Sequence, residues 1–175
     1  MKSISSLHTR IVLIAFLLTL SFPQCTQAQL APEPIKKWIG TQLDNWHKAA
    51  AEARLSDYFS LMSRDMIFIG TDATEHWNYD AFYAFCKPYF EKKKTWHFTA
   101  VQRHIYYHPQ RQMVWFDELL DTQMKLCRGS GVWRKEKGEW KLVQYVLSMT
   151  IPNEHTRAVV KIKAPHEDSL KLMIK

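Results

Sequence analysis

The sequence predicts an α+β domain, and three observations carry that prediction. Through the first part of the chain, apolar residues recur at three- and four-residue steps, the spacing of amphipathic helices. From Trp96 to Thr150 the character changes to runs of aromatic and β-branched residues broken by short turn sequences, which read as antiparallel strands. Helices first and strands afterwards give segregated layers rather than alternating βαβ units.

The opening residues stand apart from this domain. Lys2, His8 and Arg10 precede the apolar run Ile11–Leu20, and Pro23 and the small-residue site Thr26-Gln27-Ala28 follow. A basic flank, a short apolar core and an A-x-A-like end describe a secretory signal peptide cleaved after Ala28, so an exported, periplasmic or secreted, chain is expected. The run is too short for a membrane span, which needs about 20 apolar residues. Lipidation at Cys25 is disfavoured, because Gln24 and Phe22 stand where a lipobox has a small residue and Leu. The remainder of the 175 residues is one domain's worth. It divides into a linker over 29–34, a domain over 35–153 and a helical extension or tail over 154–175.

Each element has its own signal. Trp38, Ile39, Leu43, Trp46, Ala50 and Ala53 share one face of a helix over 35–53, with Pro34 in its first turn. Ser56 reads as the cap of a short helix carrying Phe59 and Met62. Met66–Ile69 is a brief strand, and Asn78 caps a helix to about Phe90 with Phe82, Phe85, Cys86 and Tyr89 on one face. Two hairpins follow. The first joins 96–107 to 113–120 through His108-Pro109-Gln110-Arg111, and the second joins 126–135 to 140–150 around Gly138. Asn153 caps a last helix that Pro165 should stop. In the last strand Leu142 and Val146 mark one face, and Val143, Tyr145, Leu147 and Met149 the other. Two apolar faces need two covers, the helices and a second subunit.

Composition excludes several functions. The net charge of +7 is scattered apart from Lys92-Lys93-Lys94 and the C-terminal tail, without the clustered basic face of a nucleic-acid binder. Cys86 and Cys127 are compatible with a disulfide or with two buried thiols. His97 and His104 face opposite ways on one strand, and His104 and His108 stand about 13 Å apart at roughly 3.3 Å per residue. Neither pair can chelate one ion, so no metal is expected, and no cofactor signature occurs.

The stretches LSDYFSLMSRDMIFIGTDATEHW, VWFDELLD, CRGSGVWRKEKGEWKLVQYVLS and IPN resemble the SnoaL-like branch of the nuclear-transport-factor-2 (NTF2)-like superfamily over roughly residues 38–153. The resemblance implies a curved antiparallel sheet wrapped around N-terminal helices, a cone with a pocket, often dimeric through the outer sheet face. The superfamily hosts isomerases, cyclases, dehydratases, ligand binders and association modules. In ketosteroid isomerases on this fold, a carboxylate base follows the first strand, with a helix Tyr and a protonated Asp opposite. The corresponding positions here hold Gly70, Trp46 and Gly131, so that mechanism does not transfer.

Candidate site residues remain. Asp44 lies one helical turn before His47 and could hold its imidazole as a general base; the pair could equally be an ordinary surface contact. Asp117 and Glu118 point to opposite faces of a strand, and one must face the concave side. Asp117 is taken as the second catalytic candidate, with Arg128 on the next strand as partner, and a purely structural cross-strand pair is the other reading. Gly129 and Gly131 signal a bulge or a close backbone approach. The turn after Met66–Ile69 should rim the pocket, with Asp72 and Glu75 over its mouth. Ligand contacts are expected from Trp46, Phe68, Asp72, Phe82, Trp96, Trp115, Arg128 and Tyr145. Binding of a small, mostly apolar molecule leads. An acid–base enzyme, with His47 or Asp117 as base and Tyr145 or Arg128 polarising an oxygen, is the alternative. A dimerising association module is the third reading.

Overall fold

A computed structural model describes residues 29–174. The expected signal peptide and cleavage site, and Cys25, lie outside the described residues. Strand β1 (Gln29–Leu30) leads into helix α1 (Glu33–Ala51), then α2 (Leu55–Ser60), β2 (Met62–Ile69), β3 (His76–Asn78) and α3 (Tyr79–Glu91). Four long strands follow: β4 (Phe98–His108), β5 (Met113–Thr122), β6 (Lys125–Glu136) and β7 (Glu139–Met149). Helix α4 (Thr156–Ile174) ends the described chain. All the strands join one seven-stranded sheet in the order β1-β4-β5-β6-β7-β2-β3. Every pairing is antiparallel except that of β2 with β7. This is the expected α+β arrangement of helices inside a curved sheet.

The helices form where their apolar periodicity places them. α1 buries Ile39, Leu43, Trp46, His47, Ala49 and Ala50 on one face, and Pro34 sits in its first turn. Asn78 Oδ1 accepts the Ala81 N–H at 2.9 Å, so α3 begins at the cap its sequence advertises. Ser56 does not cap α2. The cap position is Arg54, without a side-chain cap, and its guanidinium instead pairs with Glu52 and Asp57.

Three further expectations are corrected. Met66–Ile69 is the end of a longer strand, and the residues after it fold back as β3, with Phe68 opposite Trp77. In β7 the two faces are not divided as simple alternation predicts. Val132 pairs with Gln144 but Trp133 pairs with Leu142, which leaves Val143 as an extra residue. The bulge resets the parity, so Leu142 is buried together with Tyr145 and Leu147. Pro165 does not stop the last helix. α4 runs through it to Ile174, with Ser169 Oγ donating to the Pro165 carbonyl and Lys163 paired to Glu167 along the surface. None of its residues is buried.

The core is mainly aromatic. Trp46 stacks on Tyr58 at 5.0 Å and meets Tyr145 edge-on at 4.8 Å, while its Nε1 donates to the Tyr58 carbonyl at 3.0 Å. Cys86 and Cys127 are buried free thiols, and burial pushes the Cys86 thiol well above its usual range. Among the described residues no helix is long and apolar enough to cross a membrane.

Candidate functional site: an aromatic cavity above a buried carboxylate

At one end of the cone lies a cavity of about 200 Å³. Its walls come from several elements because each delivers an inward side chain there. β2 supplies Phe68, β3 supplies Trp77, and α3 supplies Phe82, Phe85 and Tyr89 at three- and four-residue spacing. Trp96 and Phe98 close one side, and Met124 in the β5–β6 turn closes another. Phe68 and Phe82 stack at 3.9 Å, and Trp77 and Phe85 at 4.6 Å. Tyr89 is inclined to Phe85 and stands edge-on to Trp96. The wall is therefore two stacked ring pairs with Tyr89 and Trp96 inclined beside them.

The rim is the turn between β2 and β3. Gly70 N–H donates to the Glu75 carbonyl at 2.9 Å, and Glu75 N–H to the Asp72 carbonyl at 3.0 Å. Glu75 folds its side chain back over Gly70: a Cβ there would lie 2.1 Å from Glu75 Oε2. Glycine at this position makes room for a carboxylate at the cavity edge. Glu75 Oε2 is fixed by the Asp72 N–H at 3.1 Å. Asp72 itself turns away to accept from Thr74 N–H and Oγ1, and those hydrogen bonds hold its carboxyl below the usual range.

Deeper in the cone sits Glu118, fully buried. Its Oε1 accepts from His47 Nε2 at 2.9 Å and from Tyr145 Oη at 3.1 Å. Its Oε2 accepts from Arg103 Nε at 2.8 Å. Arg103 Nη2 also lies 2.8 Å from Oε2, but at an angle that makes the contact ionic rather than a hydrogen bond. Burial pushes the Glu118 carboxyl up, yet His47 and Arg103 outweigh it and hold the group below its ordinary value. Burial, then the adjacent Glu118 charge, pushes the Tyr145 hydroxyl well above its usual range, so it remains a donor. Gly129 permits the arrangement, since a Cβ there would stand 2.3 Å from Tyr145 Oη. With both oxygens engaged and no solvent contact, Glu118 has little capacity left to take a proton from a substrate. It ties α1, β4, β5 and β7 together.

The residues singled out in the sequence fall into separate places. Phe68, Phe82 and Trp96 line the cavity. Trp46 and Tyr145 are in the core beneath it. His47 joins the Glu118 network and borders a second depression with Asp44 and His97. Its carboxylate partner is not Asp44, which pairs with Arg103 at 2.9 Å. Asp117 lies on the opposite face from Glu118, 3.1 Å from His104 Nδ1 and 3.8 Å from Arg128, as in the structural cross-strand reading. Trp115 does not reach the interior. Alternation buries Val114, Phe116, Glu118 and Leu120, and Trp115 stacks on Tyr106 at 5.8 Å on the outer face. Asp72 lines a groove with α4 rather than the cavity. Among the described residues no His, Cys, Asp or Glu cluster suits a metal ion.

The Glu118 network yields a pH-dependent prediction. A carboxyl whose folded pKa is depressed contributes stability above its ordinary value, near 4.5, and loses it as pH falls through the lower folded value. Glu118→Gln removes the charge that pairs half-buried Arg103 and buried His47 and should cost roughly 3–5 kcal/mol at neutral pH. Urea midpoints of parent and variant, measured from pH 7 downward, should converge below about pH 4.5; curves that stay parallel to the lowest pH contradict this assignment.

A family model described as the SnoaL-like domain matches residues 39–152 and so contains the whole cavity and the Glu118 network. No curated protein matches the sequence. An NTF2-like protein from Pseudomonas putida resembles the structure with a TM-score of 0.61 at 11% identity, covering 72% of this chain and 93% of that one. A cystatin-like-fold domain from Nostoc punctiforme gives 0.61 at 10% identity, covering 82% and 96%. The association domain of C. elegans CaMKII gives 0.56 at 17% identity, covering 67% and 97%. At these identities the structural likeness is one of fold. The chain belongs to the SnoaL-like domain family and has the NTF2-like fold.

Proposed function

We propose that this chain is a ligand-binding domain that holds a small, mostly apolar molecule in the aromatic cavity. The observation that carries the reading is the cavity's make-up among the described residues: aromatic rings from four stretches of chain, with Glu75 its one carboxylate and no Lys, Arg or His in its lining. Apolar cavities of about 150 Å³ bind benzene, so a cavity of about 200 Å³ suits a substituted single ring or a compact bicycle. The acid–base alternative has less support. Its carboxylate candidates are placed outside the cavity, at Asp117, or saturated beneath it, at Glu118.

Calorimetric titration with indole tests the reading. Indole should bind with a saturable 1:1 isotherm, and Met124→Trp, which fills the cavity from a turn rather than from the core, should weaken it at least about tenfold. Absence of indole binding, or binding that ignores the filled cavity, contradicts the proposal.

We further propose that the protein acts as an exported homodimer joined through the outer sheet face. Ile67, Ile69, Met113, Val132 and Val143 make a half-exposed apolar strip there, edged by Asp65, His76 and Arg134. The C. elegans relative in fold is by name an association domain. Light scattering should give twice the chain mass at micromolar concentration and the single mass for Val132→Glu; a monomeric parent contradicts the dimer.

A further inference from the structure

Among the described residues Glu75 is the only carboxylate lining the aromatic cavity, and it is half-buried there. One of its oxygens takes the Asp72 N–H, and no Lys, Arg or His lines the cavity to pair with the other. Lys92 and Lys94 flank Tyr89 in a separate depression. Gly70 supplies the space into which the Glu75 side chain folds, so the carboxylate is built into the rim by the backbone of the turn. The indoles of Trp77 and Trp96 and the rings of Phe85 and Tyr89 line the same cavity.

The geometry points to a small organic cation, an alkylated ammonium group on a compact apolar body, as the ligand class of this cavity. This assignment rests on the reading of the cavity as a binding site. An anion would meet the Glu75 charge and the negative faces of the rings. A neutral apolar molecule would strip water from Glu75 without replacing it, and a desolvated carboxylate is costly when unpaired. A cation removes both difficulties, because it pairs with Glu75 while its methyl groups rest on ring faces, of which Trp is the strongest. Aromatic rings with one carboxylate at the rim supply both contacts in one cavity. The volume of about 200 Å³ limits the apolar body to a few carbon atoms or one ring.

Calorimetry on the full chain with choline and with 3,3-dimethylbutan-1-ol, its uncharged carbon analogue, tests the assignment. Indole serves as the neutral reference ligand. Choline should bind at least about tenfold more tightly than the alcohol. Glu75→Gln keeps an amide oxygen for the Asp72 N–H; it should weaken choline at least about fivefold and should not weaken indole. Trp96→Leu removes a ring face but keeps apolar bulk, and should weaken choline at least about threefold without touching Glu75. Equal affinity for choline and the alcohol overturns the cation assignment, as does choline binding unaffected by both substitutions. In either case indole binding leaves the cavity reading standing. If indole, choline and the alcohol all fail to bind, the cavity reading fails and the cation assignment falls with it.

Discussion

The fold turns on one buried charge. Strict alternation along β5 directs Glu118 into the interior with Val114, Phe116 and Leu120. Removing a carboxylate from water costs several kcal/mol, which only well-placed partners can offset. Those partners come from three other elements: His47 from α1, Arg103 from β4 and Tyr145 from β7. Arg103 reaches further, to Asp44 and to the Gly40 carbonyl, and so fastens α1 at two more points. The helix is thereby fixed in angle across the sheet. Gly129 is part of the same constraint, because any side chain there would occupy the place of the Tyr145 hydroxyl.

With that polar anchor closing the interior, the open end of the cone is left to aromatic side chains. Phe68 links the two regions, since it touches Tyr145 of the anchor at 5.5 Å and Phe82 of the cavity floor at 3.9 Å. The ionisable groups nearest the core serve the packing of the fold. Their hydrogen-bonding capacity is spent on each other. The ionisable group available to a ligand is Glu75, held at the rim by a turn instead of by the core.

Much of this was legible in sequence. Helical periodicity located α1 and α3, the Asn78 cap marked the start of α3, and the strand runs located both long hairpins. Phe82, Phe85 and Tyr89 could be seen to share a face, and their place in the cavity follows from that. The errors have identifiable causes. Period two says that Asp117 and Glu118 diverge, but not which one enters; only the inward parity of Val114 and Phe116 decides it. The same parity puts Trp115 on the outer face rather than among the ligand contacts expected of it. Arg103 and Glu118 are brought together by register between β4 and β5, a long-range fact that no local spacing encodes. The Val143 bulge is likewise set by pairing with β6. Asp72 is the expected contact in the turn, but the space above Gly70 gives the cavity position to Glu75.

The central claim is that the aromatic end of the cone, and not the outer sheet face or the buried network, receives the ligand. Seven tryptophans distributed through these regions make it directly observable. In nitrogen-15 spectra of the labelled protein, a saturating unlabelled cavity ligand should move the indole N–H signals of Trp77 and Trp96. The signals of Trp115 on the outer face and of Trp133 in the core should stay in place. Movement at Trp115 with none at Trp77 and Trp96 would contradict the account.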